Sequence, residues 1–285
     1  MAEKLKAVLE SGKEKIEVGS GCEWGMLDYS GFEASDYSIA LSNNAQLDGS
    51  VVAGKKVEPR PISITAEYCK TDKDDRERKR LIRLFNPKKS GVLTVSVGDV
   101  SRKIAYEVES FEIGEKSLFK PLRFTVNLLC PSPYWQGVEE FAKNMAGIRK
   151  LLAFPFVIAK SRNVLSYREM QQEAVITNKG DKTVGLNVVF EAKRGNVMNP
   201  ALYNLTTGVF LRMELEMAEG DVLTICTVPG KKRVELNGVN AIQYIDRKSR
   251  FFGIEPGETL LKYDAEEGKQ NLDVYPKYTP EYLGV

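Results

Sequence analysis

The sequence predicts a mainly β protein of two domains: an N-terminal β-sandwich flanked by one α-helix, and a C-terminal β-sandwich or jelly roll. Three observations predict it. Short runs of alternating apolar and polar residues recur in both halves, one charged segment switches to helical spacing, and turn dipeptides crowd the second half. A length of 285 residues with 42% hydrophobic residues suffices for two separate cores.

In the first half, Ile62, Ile64, Ala66 and Tyr68 alternate with Ser63, Thr65 and Glu67. Leu93, Val95 and Val97 repeat that period of two, as do Ile104, Tyr106 and Val108, and then Leu122, Phe124, Val126 and Leu128. Each run reads as a half-buried strand. Gly98-Asp99, lying between two of them, predicts a hairpin. From about Asp72 to Phe85 the pattern becomes helical: Thr71 or Asp72 can cap, Asp74 and Asp75 sit in the first turn, basic residues gather from Arg78 to Arg83, and Pro87 stops it. Leu81, Leu84 and Phe85, with Ile82, supply its apolar side. The Asp72-x-Asp74-Asp75 cluster lacks the central glycine and closing glutamate of a calcium loop, so it reads as part of a capped surface helix.

Pro131-Ser132-Pro133-Tyr134-Trp135 breaks the strand pattern, and residues 138–172 read as helical or irregular before alternation resumes near Ala174. The expected domains are therefore 1–132, a junction over 133–173, and 174–285. In the last of these, turn signals fall at Asn178 to Asp181, Asn199-Pro200, Gly220-Asp221, Pro229-Gly230, Asn237-Gly238 and Pro256-Gly257. Asn237-Gly238 is the strongest hairpin signal in the chain. Leu272 to Val285, with Tyr275, Tyr278 and Tyr282, reads as a last strand and a tail that docks.

Composition excludes several functions. The chain has no histidine, which removes Ser-His-Asp and Cys-His catalysis and histidine metal centres. Cys22, Cys69, Cys130 and Cys226 form no Cys-x-x-Cys pair and read as four free thiols. Lys+Arg 41 against Asp+Glu 39, interspersed, argues against a dedicated nucleic-acid binder. With no apolar run near bilayer length and no apolar core at its start, the chain is expected to be made and kept in the cytoplasm, with no membrane partner.

The motif order resembles the siphovirus distal tail, or Dit, family. The matching residues are Asn178-Lys179-Gly180-Asp181, Asn199-Pro200, Asn204-Leu205-Thr206-Thr207-Gly208, Gly220-Asp221, Asn237-Gly238, and Ser249-Arg250-Phe251-Phe252 followed by Pro256-Gly257. Cys130-Pro131-x-Pro133-Tyr134-Trp135 and the terminal Tyr282-Leu283-Gly284-Val285 also fit, whereas Glu258 stands where members often carry asparagine. Asn204, Thr206 and Gly208 are also turn chemistry in their own right.

The resemblance implies a structural protein of a siphophage or prophage virion. It implies a homo-hexameric ring built by the N-terminal sandwich and a galectin-like or carbohydrate-module-like C-terminal domain projecting outward. Implied partners are the tail tube protein, the tail-tip hub or tail-associated lysin, and a receptor-binding protein, with DNA passing through the lumen. The implied location is the tail tip, after assembly in the host cytoplasm. No cofactor is expected, and no catalytic, cofactor-binding, metal or ligand-binding residue is assigned.

Two rival readings come from other classes. A carboxylate glycosidase could draw on Glu139, Glu140, Asp221 or Asp264, yet nothing is spaced diagnostically, and the first two read as solvated residues of a helical stretch. A tail module binding host-surface carbohydrate could use Trp135, Tyr244, Phe251, Phe252 or Tyr263, although aromatics on strands are commonly core. A tail-tube protein is disfavoured by the second domain after Trp135. A fragment starting near Ser161 is expected to be monomeric, and the full chain to tend toward hexamers.

Overall fold

The computed structural model describes residues 5–43, 48–70, 75–114, 121–142, 144–145, 148–150, 166–168 and 172–285. Thr71 to Asp74, and with them the predicted helix cap and the rejected calcium cluster, lie outside the described residues. So does Ser161.

The first part of the chain contributes β1 (Leu5–Ser11), β2 (Glu14–Gly19), β3 (Trp24–Ser30), β4 (Tyr37–Asn43), β5 (Ser50–Val57), β6 (Arg60–Tyr68), α1 (Asp75–Leu84), β7 (Gly91–Val97), β8 (Val100–Ile113), β9 (Arg123–Cys130) and β10 (Trp135–Gly137). Short strands β11 (Phe141–Ala142), β12 (Ile148–Lys150) and β13 (Ser166–Arg168) follow. Next come β14 (Glu173–Asn178), β15 (Val184–Gly185), β16 (Asn187–Ala192), β17 (Val197–Met198), β18 (Ala201–Asn204), β19 (Val209–Arg212) and β20 (Glu216–Met217). The chain ends with β21 (Val222–Cys226), β22 (Arg233–Leu236), β23 (Val239–Asn240), β24 (Gly253–Ile254), β25 (Gly257–Asp264), β26 (Leu272–Tyr278) and β27 (Glu281–Tyr282). The mainly β class with one α-helix among the described residues is as predicted.

Contacts divide the chain into Met1–Val138 with Glu281–Val285, and Glu139–Pro280. The second unit is therefore an insertion into the first. This differs from expected limits of 1–132 and 174–285 at both ends, for physical reasons. β27 hydrogen-bonds to β10, placing Tyr282 opposite Trp135, so the last residues return to the first unit. Phe141 pairs with Tyr278 on β26 and Met145 joins the second core, so the second unit starts before Ala174.

In the first unit the strand order is β27-β10-β8-β7-β1-β2-β3-β6-β9, with β8 and β9 paired as well. Fourteen-residue β8 makes that closure. Its first half, to Tyr106, runs against β7 and its second half, from Glu107, against β9, with an irregularity between Val108 and Ser110 shortly after the change of partner. One sheet thus folds back on itself around a single core. Ile62, Ile64, Ala66, Leu93, Val95, Ile104, Phe124, Val126 and Leu128, all read from alternation, are at most 1% exposed. Gly98, with φ +58, makes the predicted two-residue turn between Val97 and Val100.

Leu81, Leu84 and Phe85 of α1 and its end are buried in this core, while Ile82 faces solvent at 52% exposure, as spacing along one helical face requires. The Arg80 guanidinium donates to the Lys15 carbonyl on β2 and lies beside Glu77 and Glu14. Leu81→Ala is expected to cost about 2–5 kcal/mol. A thermal melt unchanged within error would take the helix out of the core.

In the second unit, two sheets face each other across their own core: β11-β26-β16-β21-β22-β23 and β14-β25-β18-β19. Val188, Phe190, Leu223, Ile225 and Val274 come from the first, and Ile176, Leu261, Tyr263, Leu202 and Leu211 from the second. Sandwich geometry follows from this inward alternation on both sheets. The predicted turns fall between strands. Asn237 and Gly238 have φ +52 and +79 between β22 and β23, and Asn204 Oδ1 accepts from the N–H groups of Thr206 and Thr207 at 3.1 Å. The stretch around Glu139 and Glu140 is not helical; it leads into β11, whose partner β26 satisfies its backbone instead.

All four cysteines are free. Cys69 is exposed and Cys22 half-buried, while Cys130 and Cys226 are buried. Burial pushes the Cys130 thiol up to about 12, with Arg60 opposing only weakly. In the native protein at about pH 8, a disulfide reagent such as DTNB should therefore modify Cys69 first and reach Cys130 only after denaturation. Equal rates at both positions would contradict the packing.

Candidate assembly surface

The segment most in need of a partner is the β4–β5 ribbon of the first unit. It forms a two-stranded sheet of its own, paired from Tyr37 opposite Val57 to Asn43 opposite Ser50, with a bulge between Ala40 and Leu41. Strand residues alternate Tyr37-Ser38-Ile39-Ala40-Leu41-Ser42, so the two faces differ. Cross-strand pairs place Tyr37, Ile39, Leu41, Val52 and Val57 on one face with Lys55; Ser38, Ala40, Ser42, Val51, Gly54 and Lys56 occupy the other.

Tyr37 is 59%, Ile39 55%, Leu41 60% and Val52 49% exposed. An isolated two-stranded ribbon is marginal in water, and a contiguous exposed apolar face marks an interaction surface. Among the described residues of this chain, none of the apolar ribbon side chains joins either core cluster. The ribbon is anchored at its base by Glu58 N–H donating to the Asp36 carbonyl at 2.9 Å. Sequence reasoning passed over this segment although the period-two signal was present, because alternation was read only as a sign of burial.

The second feature is a buried arginine. Arg60, at the head of β6, is 0% exposed. Its guanidinium donates from Nε to the Pro133 carbonyl at 2.9 Å, from Nη1 to the Gly31 carbonyl at 2.7 Å, and from Nη2 to the Leu283 carbonyl. Burial holds its pKa below the ordinary guanidinium value. Nearby, Arg102 donates to the Gly284 carbonyl and lies 3.7 Å over the Tyr282 ring, and Val285 N–H donates to the Phe32 carbonyl. A Cβ at Gly284 would run into the Glu33 carbonyl, so only glycine lets the tail lie this close. The docking of the C-terminal tail is thereby located: it closes the first unit.

The residues weighed for catalysis and sugar binding scatter. Glu139 and Glu140 are exposed. Asp221 holds a turn, accepting from Asn237 Nδ2 and Ala218 N–H at 2.8 Å each, and Asp264 is paired with Lys269 at 3.1 Å. Trp135 and Tyr263 are 0% exposed and Phe252 is buried, which assigns all three to cores. Tyr244 is exposed and Phe251 half-buried. No group of three or more Cys, Asp or Glu able to hold a metal occurs among the described residues.

Residues 179–282 match the family described as siphovirus-type tail component, C-terminal domain. That match is confined to residues 179–282 and does not take in the rest of the chain. The tail-component match and the turn motifs from Asn178 onward cover the same stretch. Among solved structures, the chain is similar to the Dit protein (gp 19.1) of phage SPP1, described as a paradigm of the hub adsorption apparatus in phages infecting Gram-positive bacteria. That likeness has a TM-score of 0.65 at 13% identity and covers 97% of this chain and 99% of that one. A chain of the phage P2 baseplate, in its activated conformation with calcium, gives 0.54 at 10% identity, covering 98% of each. At such identities the likeness is one of fold, and it extends well beyond the tail-component domain. No curated protein sequence matches the chain.

Proposed function

We propose that the chain is a structural distal tail protein of a siphophage or prophage: a hexameric ring hub that joins the tail tube to the tail tip or baseplate and lets DNA pass during ejection. The observation that carries this reading is the conjunction of a tail-component domain over residues 179–282 with a Dit-like fold over 97% of the chain. The uncovered apolar ribbon supports it from the physics side, since a ring subunit needs a surface for a second copy of itself. Its proposed partners are the tube protein, the tip hub or tail-associated lysin, and a receptor-binding protein, in the virion tail tip after assembly in the host cytoplasm. A net charge of +2 suits a conduit that does not grip DNA.

The first unit, Met1–Val138 with Glu281–Val285, is assigned to ring building and the second unit to peripheral contacts. Electron microscopy of the purified full chain should show six-fold rings with a central lumen; monomers alone, or open filaments, would contradict the reading. The role is non-enzymatic. Incubation with peptidoglycan and surface polysaccharides should release no reducing ends, and turnover abolished by replacing one carboxylate would overturn that assignment.

A further inference from the structure

Two of the four thiols border the same cleft. It lies in the first unit, holds about 450 Å³, and is lined by Cys22 and Cys69 with Gly19, Gly21, Gly25 and Met26. Cys69 is exposed and Cys22 half-buried, whereas Cys130 and Cys226 are closed off at 0% and 4% exposure. The accessible pair is therefore the pair that can react in the folded chain.

The backbone sets these two residues close together. Cys69 N–H donates to the Glu23 carbonyl at 2.8 Å, one step beyond the Trp24–Tyr68 pair of the β3–β6 ladder, so Cys22 adjoins the residue that faces Cys69. Strands lie about 4.7–4.9 Å apart and advance about 3.4 Å per residue, which puts the Cα atoms of such a diagonal pair about 6 Å apart, within disulfide range. Strict strand alternation would turn the two side chains to opposite faces. Cys22, however, precedes β3: its N–H donates to the Gly19 carbonyl at 3.3 Å, in a turn where Gly19 and Gly21 take φ +141 and +77. The Cys69 sulfur donates to the Glu67 carbonyl at 3.7 Å and lies over Gly25, where an added Cβ would come within 3.0 Å of it. Glycine at that position leaves the sulfur its place beside the turn.

We propose that Cys22 and Cys69 are an oxidation site, closing to an intrachain disulfide when the chain meets a small-molecule disulfide such as oxidised glutathione. The exposed Cys69 thiolate attacks one glutathione sulfur, breaks that S–S bond and releases one glutathione thiolate. The Cys22 thiolate then attacks the Cys69 sulfur of the mixed disulfide and releases the second. Two electrons pass from the two protein sulfurs to one oxidised glutathione, and the two thiol protons end on the two glutathiones. The new bond ties the turn before β3 to the end of β6, closing residues 22–69 into a loop that carries the β4–β5 ribbon. Its timing rests on the proposed virion role, since a dithiol kept reduced in the host cytoplasm meets oxidants on release. The chemistry of the pair does not depend on that role.

Mass spectrometry of the full, reduced chain after incubation with oxidised glutathione at about pH 8 tests it. Trypsin cuts at Lys55 and Lys56, between the two cysteines, so a linked peptide is read directly. The chain should lose two hydrogen atoms, yield a Cys22–Cys69 linked peptide with no glutathione retained on either residue, and revert with dithiothreitol. Cys22→Ser should instead hold one glutathione on Cys69. A wild-type chain that keeps glutathione on Cys69 would overturn the proposal, as would a bond between two copies or a chain left unmodified. Light scattering on the reduced and oxidised samples reads assembly separately, so failure of the ring and failure of the thiol pair give different results.

Discussion

Truncation after Pro280 is expected to unfold the first unit while leaving the second folded. Glu281–Val285 is the closing piece of a unit whose other strands were made before the insertion began. Its removal strips the β27 partner from Trp135 and takes the Leu283 carbonyl from a fully buried Arg60 and the Gly284 carbonyl from Arg102. Hydrogen bonds to charged groups contribute about 1.5–3 kcal/mol each, and a domain has only about 5–15 kcal/mol in total. A guanidinium left short of acceptors in the core adds a further penalty. Hydrogen exchange should show amides of β1, β6 and β9 losing protection while those of β16 and β25 keep theirs. Unchanged protection in both sets would make the tail an appendage. The same topology means that the first unit cannot complete itself until Glu281–Val285 has been synthesised.

Phe124→Ala is expected to be the most destabilising single core truncation in the first unit, at about 3–5 kcal/mol. Phe124 is 0% exposed and lies 5.0 Å from the Trp24 ring, 5.5 Å from Phe85 and 6.2 Å from Phe111. It therefore joins β3, β8 and the end of α1 at one point, and those three elements cannot collapse together into the space an alanine would leave. Aromatic pairs add about 0.5–1.5 kcal/mol beyond area burial. Urea unfolding followed by tryptophan fluorescence measures the loss. A value under about 1 kcal/mol would show that the ring cluster is not the centre of the core.

The strands of both units were legible because burial on one face imposes a period of two, as in Ile62 to Tyr68 and Phe124 to Leu128. Hairpins at Gly98-Asp99 and Asn237-Gly238 were legible because a tight reversal demands residues that accept positive φ. α1 was legible through its charge gradient and the stop at Pro87. The closing strand was not, since two residues, Glu281 and Tyr282, are too few to show any period. Arg60 was not, because an arginine in a strand reads as solvated; the acceptors that bury it lie 29, 73 and 223 residues away in sequence. The β4–β5 ribbon carried the right alternation, but periodicity says only that one face differs from the other, never what covers it. Trp135, Phe252 and Tyr263 looked available as sugar platforms until tertiary packing placed them inside.

In the proposed assembly, the first unit makes a ring through surface that the single chain leaves uncovered. Light scattering of the full chain across a concentration series, beside an Ile39→Asp, Leu41→Asp variant, measures this most directly. The wild-type mass should rise to six times the 31.9 kDa of one chain, while the variant, with a charge on the apolar face of an already exposed ribbon, stays folded and at single-chain mass. A wild-type mass of 31.9 kDa at every concentration, or a hexamer that the two substitutions leave intact, would contradict the account.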